Sequence, residues 1–328
     1  MKYLVTGGRG FIGSNFIYKC FEQEKNLNII NLDAMLTGSN PMNLQNLDNP
    51  NYRFVKGNIC DKKLVEKLVS QVDYVINFAA ESHVDRSIRN PTPFIQSNVM
   101  GVYHILEAVR HNKIKFLQIS TDEVYGEILK GSYSEGDILN PSNPYSATKA
   151  SAEMLIRAYG KTYDLDFKIT RCTNNFGPRQ FPEKLIPKTI ISILTNKKIP
   201  LHGNGSAKRQ WIHVSDHCDA LLKILSKWGK SNTYNISSNY EITNLELVKK
   251  ILKFLKKSDD LIKFVKDRPG QDKRYNVDST LIQKELGFRS KIKFQEALES
   301  TIAWYVSNKK WWQNISSQKI RNPIPWLD

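Results

Sequence analysis

The feature that most constrains the fold is a regular alternation of short apolar runs and longer helical patterns in the first half of the chain. The apolar, often β-branched runs predict strands at Tyr3–Val5, Leu27–Leu32, Tyr52–Val55, Tyr74–Phe78, Phe116–Ile119 and Phe167–Thr170. The helices predicted between them are Ile12–Phe21, Lys62–Val69, Phe94–His111 and Ser146–Tyr163. Because right-handed crossovers place helices on both faces of a parallel sheet, the pattern predicts a doubly wound α/β fold.

A glycine-rich loop follows the first predicted strand. Gly7, Gly10 and Gly13 have the G-x-x-G-x-x-G spacing, and a predicted helix begins directly after Gly10. Such glycines allow a tight turn, a close approach to a pyrophosphate and close helix–strand packing. Asp33 ends the second strand, where its carboxylate would accept ribose hydroxyls and repel a 2′-phosphate, although Arg9 could pair with such a phosphate. The loop therefore predicts a Rossmann-like domain that binds NAD rather than NADP.

The regular alternation stops after Arg171, where prolines and a Gly-Asn-Gly turn interrupt it. We therefore expect residues 1–173 to form the NAD-binding domain, with a late sheet element near residues 210–237. Residues 174–209 and 238–315 are expected to form a smaller, interleaved substrate-binding region, in which Trp304, Trp311 and Trp312 are packing residues. Residues 316–328 are expected to form a poorly ordered tail.

The composition argues against several other classes of protein. Of the 328 residues, 40% are hydrophobic and 24% are charged, which is typical of a globular protein. No apolar run approaches the ~20 residues that span a bilayer. The four cysteines form no C-x-x-C pair, so neither a metal site nor a disulfide framework is expected. Met1 leads directly into the first strand without a signal peptide, which predicts a cytoplasmic protein with no membrane partner.

The net charge of +16 raises the question of a nucleic-acid partner. The lysines are spread through helical patterns, as at Lys249 and Lys250, and no zinc-finger, RNP or basic-region motif is present. We therefore expect no nucleic-acid partner and attribute the charge to a solvated surface that also attracts a pyrophosphate-containing substrate.

Two segments carry candidate catalytic groups. Thr121, Asp122 and Glu123 follow the predicted fifth strand, and Tyr145 and Lys149 are one helical turn apart on one helix face. The lysine can lower the tyrosine pKa and bind a nicotinamide ribose, so that the tyrosinate takes a proton from a sugar hydroxyl. Adjacent carboxylates can serve as acid and base only if their environments differ, so a raised pKa is expected for Asp122 while Glu123 stays ionised.

These segments resemble those of the extended short-chain dehydrogenase/reductases and, more narrowly, the dTDP-glucose 4,6-dehydratases. The resemblance runs from Met1 to about Trp312. The matching motifs are T-G-G-x-G-F-I-G at 6–13, A-A-E-S-H-V-D-R-S at 79–87, S-T-D-E-V-Y-G at 120–126, R-C-T-N-N-F-G-P at 171–178, F-P-E-K-L-I-P at 181–187 and D-R-P-G at 267–270.

The resemblance implies conversion of dTDP-glucose to dTDP-4-keto-6-deoxyglucose, from which rhamnose and other deoxy sugars are made. Tyr145 and Thr121 would assist oxidation at C4 by NAD, and Glu123 would remove the C5 proton. Asp122 would protonate the departing C6 hydroxyl, after which hydride would return from NADH to C6 and a proton would be delivered to C5. Asp122 argues against a decarboxylase, which has serine there, and against a 4-epimerase, which lacks the acid–base pair.

The resemblance also assigns binding positions. Those for NAD are Gly7, Gly10, Phe11, Ile12, Gly13, Asp33, Ala34, Met35, Leu36, Asn58, Ile59, Phe78, Ala79, Ala80, Ser82, Ser97, Tyr145, Lys149 and Asn175. Those for the nucleotide-diphosphate sugar are Ser82, Thr121, Asn174, Lys184, Leu185, Pro200, Leu201, His202, Arg209, Asn235, Asp267, Arg268 and Gln271. Arginine pairs bidentately with phosphate oxygens, so Arg209 and Arg268 are expected to contact the diphosphate.

Several alternatives stay open at this point. Asn58, Thr37 and Gln271 stand where the family usually has aspartate, tyrosine and histidine, and the change at Gln271 keeps UDP-glucose open as the substrate. Another NAD-dependent nucleotide-sugar epimerase or decarboxylase is a further enzymatic alternative. A non-enzymatic alternative is an NAD-sensing regulatory protein.

The resemblance implies a homodimer in which each subunit contributes the helices Phe94–His111 and Ser146–Tyr163 to a helix bundle. The apolar positions of the first helix fit either a dimer interface or an ordinary core face. These positions are Val99, Val102, Tyr103, Leu106 and Val109.

Overall fold

The computed structural model describes residues 1–24 and 26–315, so the expected tail at 316–328 lies outside the described residues. The strands are β1 (Lys2–Thr6), β2 (Asn28–Asp33), β3 (Tyr52–Lys56), β4 (Tyr74–Asn77), β5 (Lys115–Thr121), β6 (Phe167–Cys172), β7 (Asn174–Phe176), β8 (Ile199–His202), β9 (Lys208–His213), β10 (Thr233–Ile236), β11 (Tyr240–Thr243) and β12 (Ile262–Val265). The α-helices are α1 (Phe11–Gln23), α2 (Lys62–Val69), α3 (Val84–Arg89), α4 (Thr92–Phe94), α5 (Val102–Asn112), α6 (Pro144–Tyr163), α7 (Leu185–Leu194), α8 (Val214–Lys227), α9 (Asn244–Phe254), α10 (Thr280–Leu286), α11 (Phe294–Ser307) and α12 (Lys309–Gln313).

Seven parallel strands form the central sheet, in the order β10-β6-β5-β4-β1-β2-β3. Apolar residues of α1, α8 and α10 cover one face, and those of α2, α5 and α6 cover the other. This arrangement confirms the predicted doubly wound, Rossmann-like α/β fold. The strand order reverses at β1, which has β2 on one side and β4 on the other, and the carboxyl ends of strands at such a reversal form a binding crevice.

The predicted helix Phe94–His111 is not a regular α-helix throughout. It is divided into α4, a π-helical segment Ile95–Gly101 and α5. Within the π-helical segment, the Asn98 side chain accepts a hydrogen bond from the Glu81 amide (2.9 Å) and donates to the Glu81 carbonyl (3.0 Å) and to Thr148 Oγ1 (3.0 Å). These bonds tie the helix to the loop after β4 and to α6, so the wider turn has a positioning role.

A second hydrophobic cluster lies in the smaller, later part of the chain. Strands β7, β9 and β11 form a three-stranded sheet there, and β8 pairs with β12. Apolar side chains of α7, α9 and α11 pack together with Trp311 and Trp312, which are buried, and with Trp304, which is partly buried. Trp311 Nε1 also donates to Asn43 Oδ1 (2.8 Å), so that α12 is attached to the loop after β2.

A buried ion pair connects α6 to the central sheet. Glu153 on α6 and Arg171 on β6 are 2.6 Å apart, and both side chains are almost completely buried. Ser120 Oγ donates to the Glu153 carboxylate (2.5 Å), and Arg171 Nη1 donates to Tyr125 Oη (2.6 Å). The pair therefore joins α6, β6 and the residues on both sides of the segment 121–123.

Arg171→Met should destabilise the protein by about 3–5 kcal/mol, because it leaves the Glu153 carboxylate buried without its ion-pair partner. The free energy of unfolding, measured by urea denaturation, checks this. Glu66→Gln is the control, since it breaks the exposed Lys62–Glu66 pair and should cost less than about 1 kcal/mol. Equal costs for the two variants would contradict the expectation.

Candidate active site

A cleft of about 420 Å³ lies at the carboxyl ends of β1, β4 and β5 and is closed on its other side by residues of α7, β8 and β9. The predicted catalytic residues Thr121, Asp122, Glu123, Tyr145 and Lys149 all line it. The predicted cofactor positions that line it are Gly7, Gly10, Phe11, Ile12, Gly13, Asp33, Ala34, Leu36, Asn58, Ile59, Phe78, Ala79, Ala80, Ser82, Ser97 and Asn175. The predicted substrate positions that line it are Ser82, Asn174, Lys184, Leu185, Pro200, Leu201, His202, Arg209, Arg268 and Gln271.

The glycine loop brings bare backbone to one end of the cleft. Gly7 has a φ of +69°, and a Cβ there would lie 2.7 Å from the Ala79 nitrogen. A Cβ on Gly13 would lie 2.5 Å from the Gly7 carbonyl oxygen, so only glycine lets α1 pack this closely on the loop. Gly10 is the N-cap of α1 and provides no side-chain cap. The first amides of α1 are therefore available to an anionic ligand in the cleft.

Asp33 is held at the end of β2 by the loops on both sides. Its carboxylate accepts hydrogen bonds from the amides of Arg9 and Met35 and from Ser39 Oγ, each at 2.8 Å. The guanidinium of Arg9 lies 4.4 Å from the centre of the Phe54 ring and donates to the Pro41 carbonyl (2.5 Å). Arg9 is thus bound by its neighbours, which weakens its case as a partner for an additional phosphate.

The adjacent carboxyls Asp122 and Glu123 begin a 3₁₀ turn directly after β5. Burial, and then the negative charge of Glu123, raise the pKa of Asp122 to about 7. Thr121 Oγ1 is 3.2 Å from Asp122 Oδ1, whereas Asp122 Oδ2 and Glu123 Oε2 are buried and have no hydrogen-bond partner among the described residues. Both residues line the cleft, and one of the two unpartnered oxygens belongs to a group that can hold a proton near neutral pH.

Tyr145 and Lys149 lie on the first turns of α6, opposite this segment. The Lys149 ammonium donates to the Ile119 carbonyl (2.7 Å), and burial lowers its pKa to about 8. Burial, and then Glu123, raise the pKa of Tyr145 well above its usual value, while a hydrogen bond with Thr121 opposes the shift. The Lys149 ammonium is thus bound to the strand carbonyl in this structure, and its expected lowering of the tyrosine pKa stays a prediction for the complex with a nicotinamide ribose.

Cationic side chains gather at the other end of the cleft. Arg209 donates to the carbonyls of Lys208 (2.7 Å) and Asp272 (2.8 Å), and Lys184 donates to the Ser82 carbonyl (2.8 Å). Neither is paired with a carboxylate in the described part of the chain. Arg268, in contrast, forms a 2.9 Å ion pair with Asp85, so one expected diphosphate ligand already has an anionic partner.

Three predicted binding residues do not line the cleft. Asn235 is fully buried in β10, where its Oδ1 accepts from Tyr125 Oη (2.9 Å) and its Nδ2 donates to the Tyr133 carbonyl (3.2 Å). Asp267 is exposed and accepts from the Arg268 amide (3.0 Å). Met35 has a φ of +57° and contributes its amide to Asp33. Each of the three therefore holds a neighbouring residue in position, and none of them lines the cleft.

The cleft also contains residues for which the sequence predicted no role. His83 and Asp85 belong to the quoted motif at 79–87, so the motif itself marked them. Lys188 lies one helical turn after Lys184, and helical periodicity could have placed it on the same face. No group of three or more His, Cys, Asp or Glu side chains in the described residues is arranged to hold a metal ion.

Comparison with known proteins decides the family. The family model described as GDP-mannose 4,6 dehydratase matches residues 4–301. The low-salt glycan biosynthesis protein Agl12 of Haloferax volcanii is 48% identical over 94% of this chain and 99% of its own length. The dTDP-glucose 4,6-dehydratase of Streptomyces niveus is 43% identical over 97% of this chain and 96% of its own length. The chain belongs to the nucleotide-sugar 4,6-dehydratase family.

Solved structures agree with this family. The crystal structure of DesIV, a dTDP-glucose 4,6-dehydratase from Streptomyces venezuelae with NAD bound, is 39% identical and has a TM-score of 0.94. It covers 96% of this chain and 100% of its own. The three positions at which this chain departs from the usual family residues, Asn58, Thr37 and Gln271, all line the cleft.

Asp122→Asn should change how stability depends on pH. The pKa of Asp122 is raised from 3.8 to about 7 in the folded protein, so the folded state holds this proton more tightly than the unfolded chain does. The stabilisation is therefore present at acidic pH and is lost as the pH rises towards 7. From about pH 5 to about pH 8, the wild type should lose more thermal stability than Asp122→Asn.

Thermal unfolding at both pH values measures the difference. Asp48→Asn is the control, because Asp48 is exposed and its loss should leave the pH dependence of the wild type unchanged. The same pH dependence in Asp122→Asn and the wild type would show that Asp122 does not hold its proton in the folded state.

Proposed function

We propose that the protein is a dTDP-glucose 4,6-dehydratase that forms dTDP-4-keto-6-deoxyglucose with NAD as its cofactor. The observation that carries this proposal is the adjacent pair Asp122, which is buried, and Glu123, which is partly buried. Both line the cleft, and each has one carboxyl oxygen without a hydrogen-bond partner among the described residues. Tyr145 and Lys149 lie in the same cleft. The reaction oxidises C4 and then eliminates water, so it needs a tyrosine–lysine pair for the oxidation and an acid and a base for the elimination. All four groups lie in this one cleft.

The residues of the glycine loop fit NAD. The bare backbone at Gly7 and Gly10 and the uncapped start of α1 suit its pyrophosphate. The buried Asp33 carboxylate suits ribose hydroxyls and disfavours a 2′-phosphate, and Arg9 is bound to Phe54 and Pro41 instead of facing such a phosphate. When bound there, NAD would supply the hydride acceptor for the oxidation at C4 and the hydride donor for C6.

Each proton transfer up to the loss of water is assigned to a residue of this chain. Tyr145, hydrogen-bonded with Thr121 and acting in its tyrosinate form, takes the proton from the C4 hydroxyl of the sugar. Lys149 supplies a nearby positive charge that stabilises the tyrosinate once a bound ribose draws its ammonium away from the Ile119 carbonyl. Glu123 removes the C5 proton, which the 4-ketone has made acidic, and C5 takes up a proton again when hydride returns to C6. Asp122, protonated near neutral pH, gives its proton to the C6 hydroxyl, which leaves as water.

We also propose that two parts of the chain bind different ligands. Residues 1–173, with the late sheet element near 210–237, bind NAD, and residues 174–209 and 238–315 bind the nucleotide sugar. The position of the catalytic residues at the carboxyl ends of the central strands supports this, as does the closing of the cleft by α7 and β8.

UDP-glucose is the second candidate substrate, and Gln271 is the observation that favours it. Gln271 lines the cleft, and its buried Oε1 has no hydrogen-bond partner among the described residues. Gln271 is a neutral amide where the family usually has histidine. Selection between thymine and uracil nucleotides would therefore depend on hydrogen bonding and shape. Turnover of dTDP-glucose and UDP-glucose, measured side by side, decides between them.

Asp122→Asn and Glu123→Gln should each lower the kcat for formation of the 4-keto-6-deoxy product by roughly 10²- to 10⁴-fold, because each removes one proton-transfer group. Product formed from dTDP-glucose, measured chromatographically, checks this. Both variants should still bind dTDP, which shows that the cleft remains folded.

Glu127→Gln, at an exposed carboxylate just beyond the segment, is the matched control and should retain wild-type turnover. If the wild type epimerises or decarboxylates a nucleotide sugar and forms no keto product, the dehydratase proposal fails. If NAD binds and no nucleotide sugar is turned over, the protein is the NAD-sensing regulator instead.

We further propose a homodimer built by the helices of residues 94–111 and 146–163. Val102, Leu106 and Val109 of the first helix are part of the core, so they do not form its interface. The exposed face of α6 instead presents Ala147, Ser151, Met154 and Ala158, which recur at helical spacing. Small and apolar residues at this spacing allow another helix to pack closely.

Met154→Arg should shift the protein from dimer to monomer, because it places a charge in the centre of this face. Sedimentation velocity measures the change. Ile138→Arg is the matched control, because Ile138 is an exposed apolar residue outside both helices. A wild type that sediments as a monomer, or a Met154→Arg variant that stays dimeric, would contradict the proposed interface.

The proposed activity supplies a keto sugar for the biosynthesis of deoxy sugars such as rhamnose, and we propose a cytoplasmic location for it. Over residues 1–24 and 26–315, no helix has both the length and the apolar character that a membrane span requires. The relative Agl12 is a glycan biosynthesis protein, which is consistent with a supply of sugar nucleotides.

A further inference from the structure

Lys188 is a buried cation without a counter-ion. It lies in the first turns of α7, where its amide donates to the Lys184 carbonyl (2.9 Å), and its side chain lines the cleft. Only 9% of the residue is exposed. Among the residues that the structure describes, its ammonium forms neither an ion pair nor a hydrogen bond.

The nearby carboxylates are already paired with other cations. Asp85 binds Arg268 (2.9 Å), and Glu183 binds Arg86 (3.2 Å). Burial lowers the pKa of Lys188, although the charges of Asp85 and Glu183 oppose the shift. A largely buried lysine whose ammonium has no partner is costly, so its place in a binding cleft indicates an anionic ligand.

Other groups around Lys188 also lack partners. His83 lines the same cleft, is 8% exposed, and has no hydrogen-bond partner for Nδ1 among the described residues. Lys184, the N-cap of α7, makes no side-chain cap, so the first amides of this helix add a positive potential. An ammonium, an imidazole nitrogen and a helix N-terminus together suit a ligand with several anionic oxygens.

We propose that Lys188 binds the diphosphate of the nucleotide sugar, as an additional cation beside Arg209 and Lys184. This inference rests on the proposed function for the class of ligand. Arg209 and Lys184 have no carboxylate partner in the described residues either, so all three cations are available to the two negative charges of a sugar-nucleotide diphosphate. Lys188 thereby favours nucleoside diphosphates over nucleosides and leaves the choice of base to other residues.

Lys188→Met tests the proposal, since methionine keeps much of the length of the side chain and removes its charge. Calorimetric titration of the variant should give a Kd for dTDP that is roughly 10- to 100-fold higher, as expected for one lost charge-assisted bond. The affinities for thymidine, which has no phosphate, and for NAD, whose pyrophosphate site is at the glycine loop, should stay unchanged. Lys253→Met, at an exposed lysine of α9, controls for net charge and should bind dTDP like the wild type.

Thermal unfolding separates binding from a purely structural role. Without ligand, Lys188→Met should be at least as stable as the wild type, because it removes an unpaired buried charge, and dTDP should raise its Tm less. Lys188→Gln is the second variant, in case methionine does not fit, and should show the same loss of dTDP affinity.

The outcomes distinguish this inference from the proposed function. Unchanged dTDP affinity in both Lys188 variants overturns the inference and leaves the dehydratase proposal intact. An equal loss of thymidine affinity also overturns it, because the residue would then act on the shape of the cleft. If the wild type binds neither dTDP nor UDP, the proposed function itself fails.

Discussion

The ion pair between Glu153 and Arg171 is the interaction on which the geometry of the site depends. It joins the helix that carries Tyr145 and Lys149 to the strand beside β5. Ser120, which donates to Glu153, directly precedes Thr121 and the two carboxyls, so the pair holds both halves of the site. Because a charge buried this deeply tolerates little displacement from its partner, α6 and the end of β5 keep a fixed relation.

Burial determines the chemistry of the groups that this frame holds. It raises the pKa of Asp122 and lowers the pKa of Lys149, so both values lie close to neutrality. The two shifts have one cause, since a low-dielectric environment penalises the charged form of either group. Glu123 adds to the shift of Asp122 and of Tyr145, so a single carboxylate influences the acid and the tyrosine at the same time.

Local sequence patterns predicted much of this arrangement. The β–α alternation predicted the parallel sheet, and the spacing of Gly7, Gly10 and Gly13 predicted the loop at its edge, because both depend on short-range periodicity and backbone freedom. Contacts between distant segments were not predictable in this way. The pairing of Asp85 with Arg268 joins residues 183 positions apart, and Asn235 is bound by side chains from another part of the chain. The π-helical turn before α5 is likewise fixed by Asn98 and its tertiary partners.

The charges along the cleft connect the two ends of the site. Glu123 acts electrostatically on Asp122 and Tyr145 at one end, and on Lys184, Arg209 and Arg268 at the other. Arg209 opposes the raised pKa of Asp122. A diphosphate that neutralises Arg209 removes part of this opposition, so that substrate binding favours the protonated form of Asp122. On the proposed function, the nucleotide end of the substrate thus helps to prepare the acid that acts at its sugar end, which links recognition to catalysis through charge alone.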